Sequence, residues 1–449
     1  SVFANEPAVN GFQPAAVVFK NARIVVAPGQ TLDKAHLVVR SGRISAIGTD
    51  VQIPADAEVI EADGLSIYPG FIDAGTSIFL QDVKPQPVEG RPLEITKYAL
   101  AGMRQDDRNG LTPEFNASER LNARSEDQER YRQFGFVAVH VLPVGRIASG
   151  HGAVLNLAAL PLRESLLVPR SFATLQLSER GGGEYPSTNM GVHAHLRQAF
   201  LDAQRHATQQ RLFAENIADI ARPPSDAALE ALTLMRTPAV KTVFTATSRD
   251  DHDRAINFAA EHQLRPVIWG GHEAHRVVDR LKKHDVDVIA HVDFGDEPKT
   301  DAEKPGDDPY ADLPEPSHVR QHKREEWRQR VAGLAALQKE GVRFAVSSRD
   351  GKSPGDVLKG LRQAIANGLD RDAALAAITT QAAAILGLER ELGTIAVGRP
   401  AYFVVTTGPF DHEQTKARFV VINGQRYEYH KDAKPIAPPS PGEPAPLQL

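Results

Sequence analysis

The chain has 449 residues, of which 41% are hydrophobic and 24% are charged, and its formal net charge is −5. A charge so close to neutrality argues against a general nucleic-acid binder, which carries a basic excess. The sequence contains no cysteine, which excludes disulfides, thiolate zinc sites, iron–sulfur clusters and cysteine nucleophiles. It also has no run of about 18 apolar residues, so we predict no membrane span.

The two ends of the chain differ from the rest in composition. Residues 1–14 are predicted to form a loose arm, and Val2-Phe3-Ala4 within it has the small-residue spacing of a signal-peptidase site. This pattern predicts a periplasmic or secreted protein. A cytoplasmic location stays open, because the same residues can also carry no targeting information. The Pro-rich residues 431–449 are predicted to form an extended or disordered tail.

Residues 15–66 and 388–430 have the same strand-rich texture. Short β-branched runs alternate there with Gly, Pro, Asn and Asp, which is typical of strands joined by tight turns. Asn423-Gly424 is a strong hairpin signal. We therefore predict one small β-sandwich domain that is built from both chain ends around a central insertion.

The central segment, residues 67–387, alternates apolar strand candidates with helical patterns. This order with short links predicts parallel strands in an α/β sheet or barrel. A final helix is predicted over Arg371–Leu386, and the Gly-rich residues 145–152 are predicted to form a loop. The polar residues 80–130 are predicted to be an insertion that serves as a lid or a contact element.

Two motifs flank the central segment. Gly64–Ala74 contains Tyr-Pro-Gly-Phe-Ile-Asp-Ala, and Leu392–Val405 contains Leu-Gly-Thr-Ile-Ala-Val-Gly-Arg-Pro-Ala. Together they resemble the amidohydrolase superfamily, and within it the imidazolonepropionase-like bacterial amidohydrolases. The resemblance implies a (β/α)8 TIM-like barrel over residues 67–387, flanked by the split sandwich. It also implies hydrolysis of amide, ester or related bonds by one or two metal ions at the C-terminal barrel face.

The metal ligands that the resemblance implies do not match this sequence. The family places a His-x-His pair on the first barrel strand, one His on each of two later strands, and an Asp on the last strand. The first four positions correspond here to Gly75, Ser77, Thr245 and Gly270, the last next to Trp269. Asp350 matches the catalytic Asp, although Ser348 fits that position as well. Loss of four ligands of five removes the coordination sphere, so we predict no bound metal and at most one retained catalytic residue, Asp350.

Four other histidines offer an alternative site. His140 and His291 lie on predicted strands, and His151 and His272 follow strands, so these side chains can converge with Asp350 if they point into the barrel mouth. Such a set would bind one zinc or other divalent ion. Ser347 and Ser348 also suggest a nucleophile, but no Gly-x-Ser-x-Gly elbow surrounds them.

Three functions follow from these residues. The first is an amidohydrolase-fold protein with a lost metal site that serves as a non-catalytic subunit, scaffold or ligand-binding partner of an active amidohydrolase. The second is an active metal-dependent hydrolase of carbon–nitrogen bonds with a rebuilt mononuclear site, and the third is a solute-binding protein. We predict a homo-oligomer or a hetero-complex with an active paralogue, a small-molecule ligand, and no nucleic-acid partner.

Overall fold

The structure is a computed structural model, and it describes residues 16–80, 108–145, 147–178, 186–217, 221–299, 315–349 and 353–436. The predicted arm at residues 1–14, its Val2-Phe3-Ala4 motif, Asp350, and most of the tail lie outside the described residues. The same holds for residues 81–107 of the predicted insertion. No helix in the described part of the chain is long and apolar enough to cross a membrane.

The described residues form strands that fall into three sheets. The strands are β1 (Ala16–Ala27), β2 (Gln30–Arg40), β3 (Arg43–Gly48), β4 (Ala57–Glu61), β5 (Ser66–Pro69), β6 (Phe71–Thr76), β7 (Phe136–Val141), β8 (Ala148–His151), β9 (Ala153–Asn156), β10 (Leu166–Val168), β11 (Ala173–Gln176), β12 (Lys241–Ala246), β13 (Arg265–Gly270), β14 (Asp287–His291), β15 (Phe344–Ser347), β16 (Tyr402–Thr406), β17 (Ala417–Ile422) and β18 (Gln425–Glu428).

The helices of the described residues lie mainly between the later strands. They are α1 (Ser125–Arg132), α2 (Leu162–Ser165), α3 (Asn189–Ala214), α4 (Ala227–Met235), α5 (Arg249–His262), α6 (Val278–Lys283), α7 (Ser317–Lys339), α8 (Pro354–Ala366), α9 (Arg371–Ala377) and α10 (Thr380–Leu386). Short 3-10 helices cover Ala117–Glu119 and Ala274–Val277.

Strands from both chain ends share one sheet. Among the described residues, eight strands join in the order β18-β17-β16-β5-β1-β2-β3, with β4 paired to β1. The turn between β17 and β18 is Asn423-Gly424, where both residues have positive φ (51° and 83°), as a type I′ hairpin turn requires. The hairpin prediction is therefore confirmed. A separate apolar cluster around Phe19, Ile67 and Phe403 lies under this sheet.

The central strands form the scaffold of the site. Within the described residues, β11 to β15 pair in chain order as parallel neighbours, with β8 antiparallel at the edge of β11. Strands β10-β9-β7-β6 form a second group. Two backbone hydrogen bonds, Ser77 N to Arg349 O and Arg349 N to Gly75 O, both 3.1 Å long, place β6 beside the end of β15. The carboxyl ends of the parallel strands thus meet at one edge, where α/β proteins place their sites.

Two local predictions are wrong. The helix predicted over Arg371–Leu386 is two helices, because the Thr379 hydroxyl donates to the Leu375 carbonyl at 2.6 Å and the backbone turns at Thr379. Such back-bonding by a Thr side chain competes with helix propagation. The loop predicted over residues 145–152 contains strand β8, which pairs with β11. Its sequence, Ala-Ser-Gly-His, carries no β-branched residue, so only tertiary pairing defines it.

The described part of the predicted insertion packs on the central core. Leu111 is 1% exposed within this core, and Leu121 and Ala123 are partly buried against it. These residues therefore belong to the body of the fold. The predicted role of residues 80–130 as a lid or contact element stays a prediction, because residues 81–107 lie outside the described residues.

Candidate functional site

The first two family ligand positions lie at the end of β6, and one of them is filled by an indole. A Cβ atom at Gly75 would lie 2.8 Å from Nε1 of Trp269 and 3.3 Å from Cδ1 of Leu142. Trp269, on β13, is 3% exposed and donates from Nε1 to the Ser347 hydroxyl at 3.1 Å. A histidine at position 75 therefore cannot coexist with this indole, and Ser77 brings only a hydroxyl.

The two later-strand positions offer no imidazole either. Thr245 on β12 pairs with Trp269 on β13 in the parallel register. Gly270 has a φ of +125°, and a Cβ there would lie 2.4 Å from the carbonyl oxygen of Ala246. A side chain at Gly270 would thus collide with backbone. These positions do not fit a metal ion, because a hydroxyl, a hydrogen atom and an apolar ring replace the ligands.

A hydrogen-bonded network occupies the end of the last strand. The Asp73 carboxylate accepts from the backbone N–H of Gly75 at 3.1 Å and of Ser348 at 3.0 Å. The Ser348 hydroxyl donates to Oδ2 of Asp73 at 2.5 Å, and the Tyr131 hydroxyl lies 2.7 Å from the Ser348 Oγ. Ser348, one of the two residues that fit the family's Asp position, therefore faces a carboxylate from the first strand.

Burial shifts the pKa values of this network. Asp73 is 1% exposed, and desolvation raises the pKa of its carboxyl to about 6, although hydrogen bonds from Ser348 and Gly75 oppose the shift. Desolvation also raises the pKa of the Tyr131 phenol well above its ordinary range.

Two of the four candidate histidines, His272 and His291, meet beside Trp269. The rings of His272 and His291 are 5.6 Å apart, and those of His291 and Trp269 are also 5.6 Å apart. Nε2 of His272 lies 3.6 Å from Oδ1 of Asp293. His291 is 4% exposed, neither of its nitrogens has a hydrogen-bond partner among the described residues, and burial lowers its pKa to about 3.

The other two histidines are both hydrogen-bonded around Ser171. Nδ1 of His140 donates to the Ala74 carbonyl at 3.0 Å, so its Nε2 accepts from the Ser171 hydroxyl at 2.8 Å. Nδ1 of His151 donates to the Ser171 carbonyl at 3.2 Å, and Nε2 accepts from Arg170 at 3.0 Å. Burial lowers the pKa of each imidazole to about 4. Neither ring has a free lone pair for a metal.

The four histidines of the predicted pocket have different partners. The structure brings together only His272 and His291, because the rings of His140 and His151 are turned into hydrogen bonds with Ser171. Within the described ranges, no three His, Asp or Glu side chains are placed to hold one metal ion. Asp350, the predicted catalytic residue, lies outside the described residues.

Sequence reasoning missed the central roles of Trp269, Tyr131 and Asp73. In the sequence, Trp269 is only the neighbour of a ligand position. The signal that could have identified its role is the pairing of a large residue, Trp269, with a small one, Gly75, because facing core positions often combine a large and a small side chain. Tyr131 lies on α1, far from β6 and β15 in sequence, so no spacing predicts its contact with Ser348. Asp73 belongs to the flanking motif, but the motif does not indicate that the carboxyl is buried or that burial raises its pKa.

A small cavity opens beside Ser348. Its volume is about 220 Å³, and it lies between the ends of β14 and β15 and the first turns of α8. The residues that line it include Asp293, Ser347, Ser348, Val357 and Gln363. The pocket is lined by both polar and apolar groups, as small-molecule sites usually are.

The parallel strands β11 to β15 and the helices between them define an α/β protein. A family model described as "Amidohydrolase family" matches residues 189–427, more than half of the chain. The chain belongs to the amidohydrolase family, and the superfamily identification made from the two flanking motifs is confirmed.

The chain is also similar to proteins of known structure and to a curated relative. An amidohydrolase of known structure from Thermotoga maritima superposes with a TM-score of 0.73 at 21% identity, over 92% of this chain and 100% of that chain. A prolidase bound to N-methylphosphonate-L-proline gives a TM-score of 0.53 at 17% identity, over 92% and 100%. A dihydroorotase from Geotalea daltonii is 44% identical over 57 residues, which are 12% of this chain and 13% of that protein.

A pair of substitutions tests the state of the histidines. His291→Leu removes two buried nitrogens that lack partners, so we expect the free energy of unfolding to rise by about 1–2 kcal/mol. The matched change His140→Leu leaves the Ala74 carbonyl and the Ser171 hydroxyl without a partner and should lower it by about 2–3 kcal/mol. Urea titration at pH 7 measures both. A loss at His291 as large as that at His140 would show that His291 has a partner in solution.

Proposed function

We propose that this amidohydrolase-family protein has lost the metal centre of its family and serves as a non-catalytic subunit, scaffold or ligand-binding partner of an active amidohydrolase. The observation that carries the proposal is the 2.8 Å separation between the Cβ position of residue 75 and the indole nitrogen of Trp269. The volume of a first-strand ligand is filled by a side chain that hydrogen-bonds elsewhere. Such a filled and satisfied position favours packing over metal binding.

The proposal includes the arrangement of the strands. We infer that the two central groups of strands close into the (β/α)8 barrel of the family, and that the terminal sheet folds over into a small sandwich. The hydrogen bonds between the end of β6 and Arg349 support the closure. A periplasmic or secreted location and an oligomer or a hetero-complex with an active paralogue are part of the same proposal.

The test is an assay for metal-dependent hydrolysis. We expect the purified full chain to leave dihydroorotate, other cyclic amides and Xaa-Pro dipeptides intact, with added zinc or manganese and with a chelator. An active dihydroorotase assayed in parallel controls for the conditions. Turnover by this chain that a chelator abolishes would overturn the proposal. The partner role is tested by co-elution with a purified active paralogue, and separate elution would overturn that role.

A second candidate is an active hydrolase with a rebuilt mononuclear site. The nitrogens of His291 have no hydrogen-bond partner among the described residues and lie beside the ring of His272. This pair favours the second candidate, because imidazole is a common ligand of divalent transition metals, although the described residues supply no third ligand. Elemental analysis of protein prepared without chelator should then give about one ion per chain. The double variant His272→Ala/His291→Ala should lose it, and unchanged metal content in that variant would exclude this ligand set.

A further inference from the structure

The Ser348 hydroxyl has the surroundings of a nucleophile. It donates to Oδ2 of Asp73 at 2.5 Å, and the other oxygen of that carboxylate accepts from the backbone N–H groups of Gly75 and Ser348. These two bonds hold the carboxylate so that its second oxygen faces the hydroxyl. A hydroxyl in hydrogen-bond reach of a base, with the base oriented by further groups, is the arrangement that activates serine nucleophiles.

The hydroxyl and the carboxylate differ in their access to solvent. Ser348 is partly exposed and lines the cavity of about 220 Å³ between β14, β15 and α8. Asp73 is 1% exposed and lies on the inner side of Ser348. A reagent in the cavity therefore contacts the Ser348 hydroxyl first. The Asp73 carboxylate remains buried away from water, and its hydrogen bond with the hydroxyl proton is stronger in that environment.

We infer that Ser348 is a nucleophile toward small acyl, sulfonyl and phosphonyl donors that enter this cavity, with Asp73 as its general base. Ser348 Oγ forms a bond to the electrophilic carbon, sulfur or phosphorus as its proton moves to Oδ2 of Asp73. The bond to the leaving group then breaks, and the leaving group departs with that proton.

This inference goes beyond the proposed function and does not depend on it, since no step involves a metal ion. The competing interpretation is a purely structural one, in which Asp73, Ser348 and Tyr131 only join β6, β15 and α1. That role would affect stability but would not make the hydroxyl reactive. A reactivity measurement on the folded wild-type chain therefore distinguishes the two interpretations.

The experiment is covalent labelling of the full-length protein with phenylmethylsulfonyl fluoride and with a fluorophosphonate, read by intact mass and peptide mapping. We expect one adduct per chain, located on Ser348. Ser45→Ala, at an exposed serine of β3 outside the cavity, is the control and should still be labelled, while Ser348→Ala should not. An absent adduct, or an adduct on another residue of the wild-type chain, would overturn the inference without reference to any variant.

The role of Asp73 has its own measurement. Asp73→Asn keeps the size of the side chain but removes the base, and we expect the labelling rate to fall by about 100-fold or more. The groups that act on the pKa of Asp73 are Ser348, the Gly75 backbone and Tyr131, so labelling of the wild type should slow as pH falls through about 6. Thermal melts establish that each variant is folded. Equal rates for folded Asp73→Asn and wild type would overturn this assignment.

The outcomes separate the inference from the proposed function. A chelator should leave the labelling of Ser348 unchanged. Hydrolysis of cyclic amides that a chelator abolishes would overturn the non-catalytic proposal and leave the Ser348 adduct unaffected. Conversely, a chain that is never labelled would overturn the inference while the loss of the metal centre still stood.

Discussion

Trp269→Ala should lower the free energy of unfolding by about 3–5 kcal/mol, because it leaves a cavity where a fully packed indole was. Gly75→Ala alone should cost about 1–3 kcal/mol, since the new Cβ would lie 2.8 Å from the indole nitrogen. In the Trp269→Ala background that collision is gone. The added alanine should then be neutral or slightly stabilising, as it also restricts the unfolded chain.

The measurement is a double-mutant cycle by urea denaturation. We expect a coupling energy between positions 75 and 269 of about 1–3 kcal/mol, in the range seen for contacting residues. Trp327→Ala is the matched control, because this buried indole on α7 donates to the Phe294 carbonyl instead. Its effect should add to that of Gly75→Ala within about 0.5 kcal/mol. Additivity between positions 75 and 269 would contradict the exchange of ligand for indole.

The second large effect should come from acid. Burial lowers the pKa of His140, His151 and His252 to about 4 and that of His291 to about 3, against about 6.5 in an unfolded chain. A folded pKa below the unfolded one gives stability that is present above about pH 6.5 and is lost as pH falls toward the folded value. Each group should cost about 2 kcal/mol between pH 7 and pH 5.

Four such losses approach the whole stability of an ordinary domain, about 5–15 kcal/mol, so the protein should unfold in mild acid. Asp73 acts in the opposite direction, since its raised pKa of about 6 gives stability that is present below about pH 4 and lost as pH rises through 6. At pH 5, Asp73 therefore offsets about 1 kcal/mol of the stability that the four histidines lose. Urea midpoints from pH 7.5 to 5 test the balance.

One variant supplies the control for acid unfolding. His291→Leu removes one of the four histidines, so the slope of stability against pH should correspond to about one proton fewer taken up on unfolding. A stability that stays level from pH 7.5 to 5 in the wild type would contradict the buried, neutral state of these imidazoles.

The candidate site could be predicted only in part, for a physical reason that Ser348 and His140 illustrate. Both residues were identified as candidates because they follow or lie on central strands. Whether each side chain can take part in chemistry depends on its hydrogen-bond partners. The Ser348 hydroxyl donates to the Asp73 carboxylate. The His140 ring is hydrogen-bonded to the Ala74 carbonyl and the Ser171 hydroxyl. Strand alternation indicates an inward or outward direction but carries no information about partners from distant segments.

By itself, the sequence determined the family, the strand-rich texture of both ends, the Asn423-Gly424 hairpin and the absence of histidine at the family's ligand positions. These features depend on local turn chemistry, β-branched runs and residue identity, all of which are readable in a short window. Only the tertiary structure decided which side chains lie at those positions. The Trp269 indole lies against Gly75. Asp73 accepts a hydrogen bond from Ser348, although the two residues are 275 positions apart in the chain. Contacts of that separation arise from packing of the whole core, which no local pattern encodes.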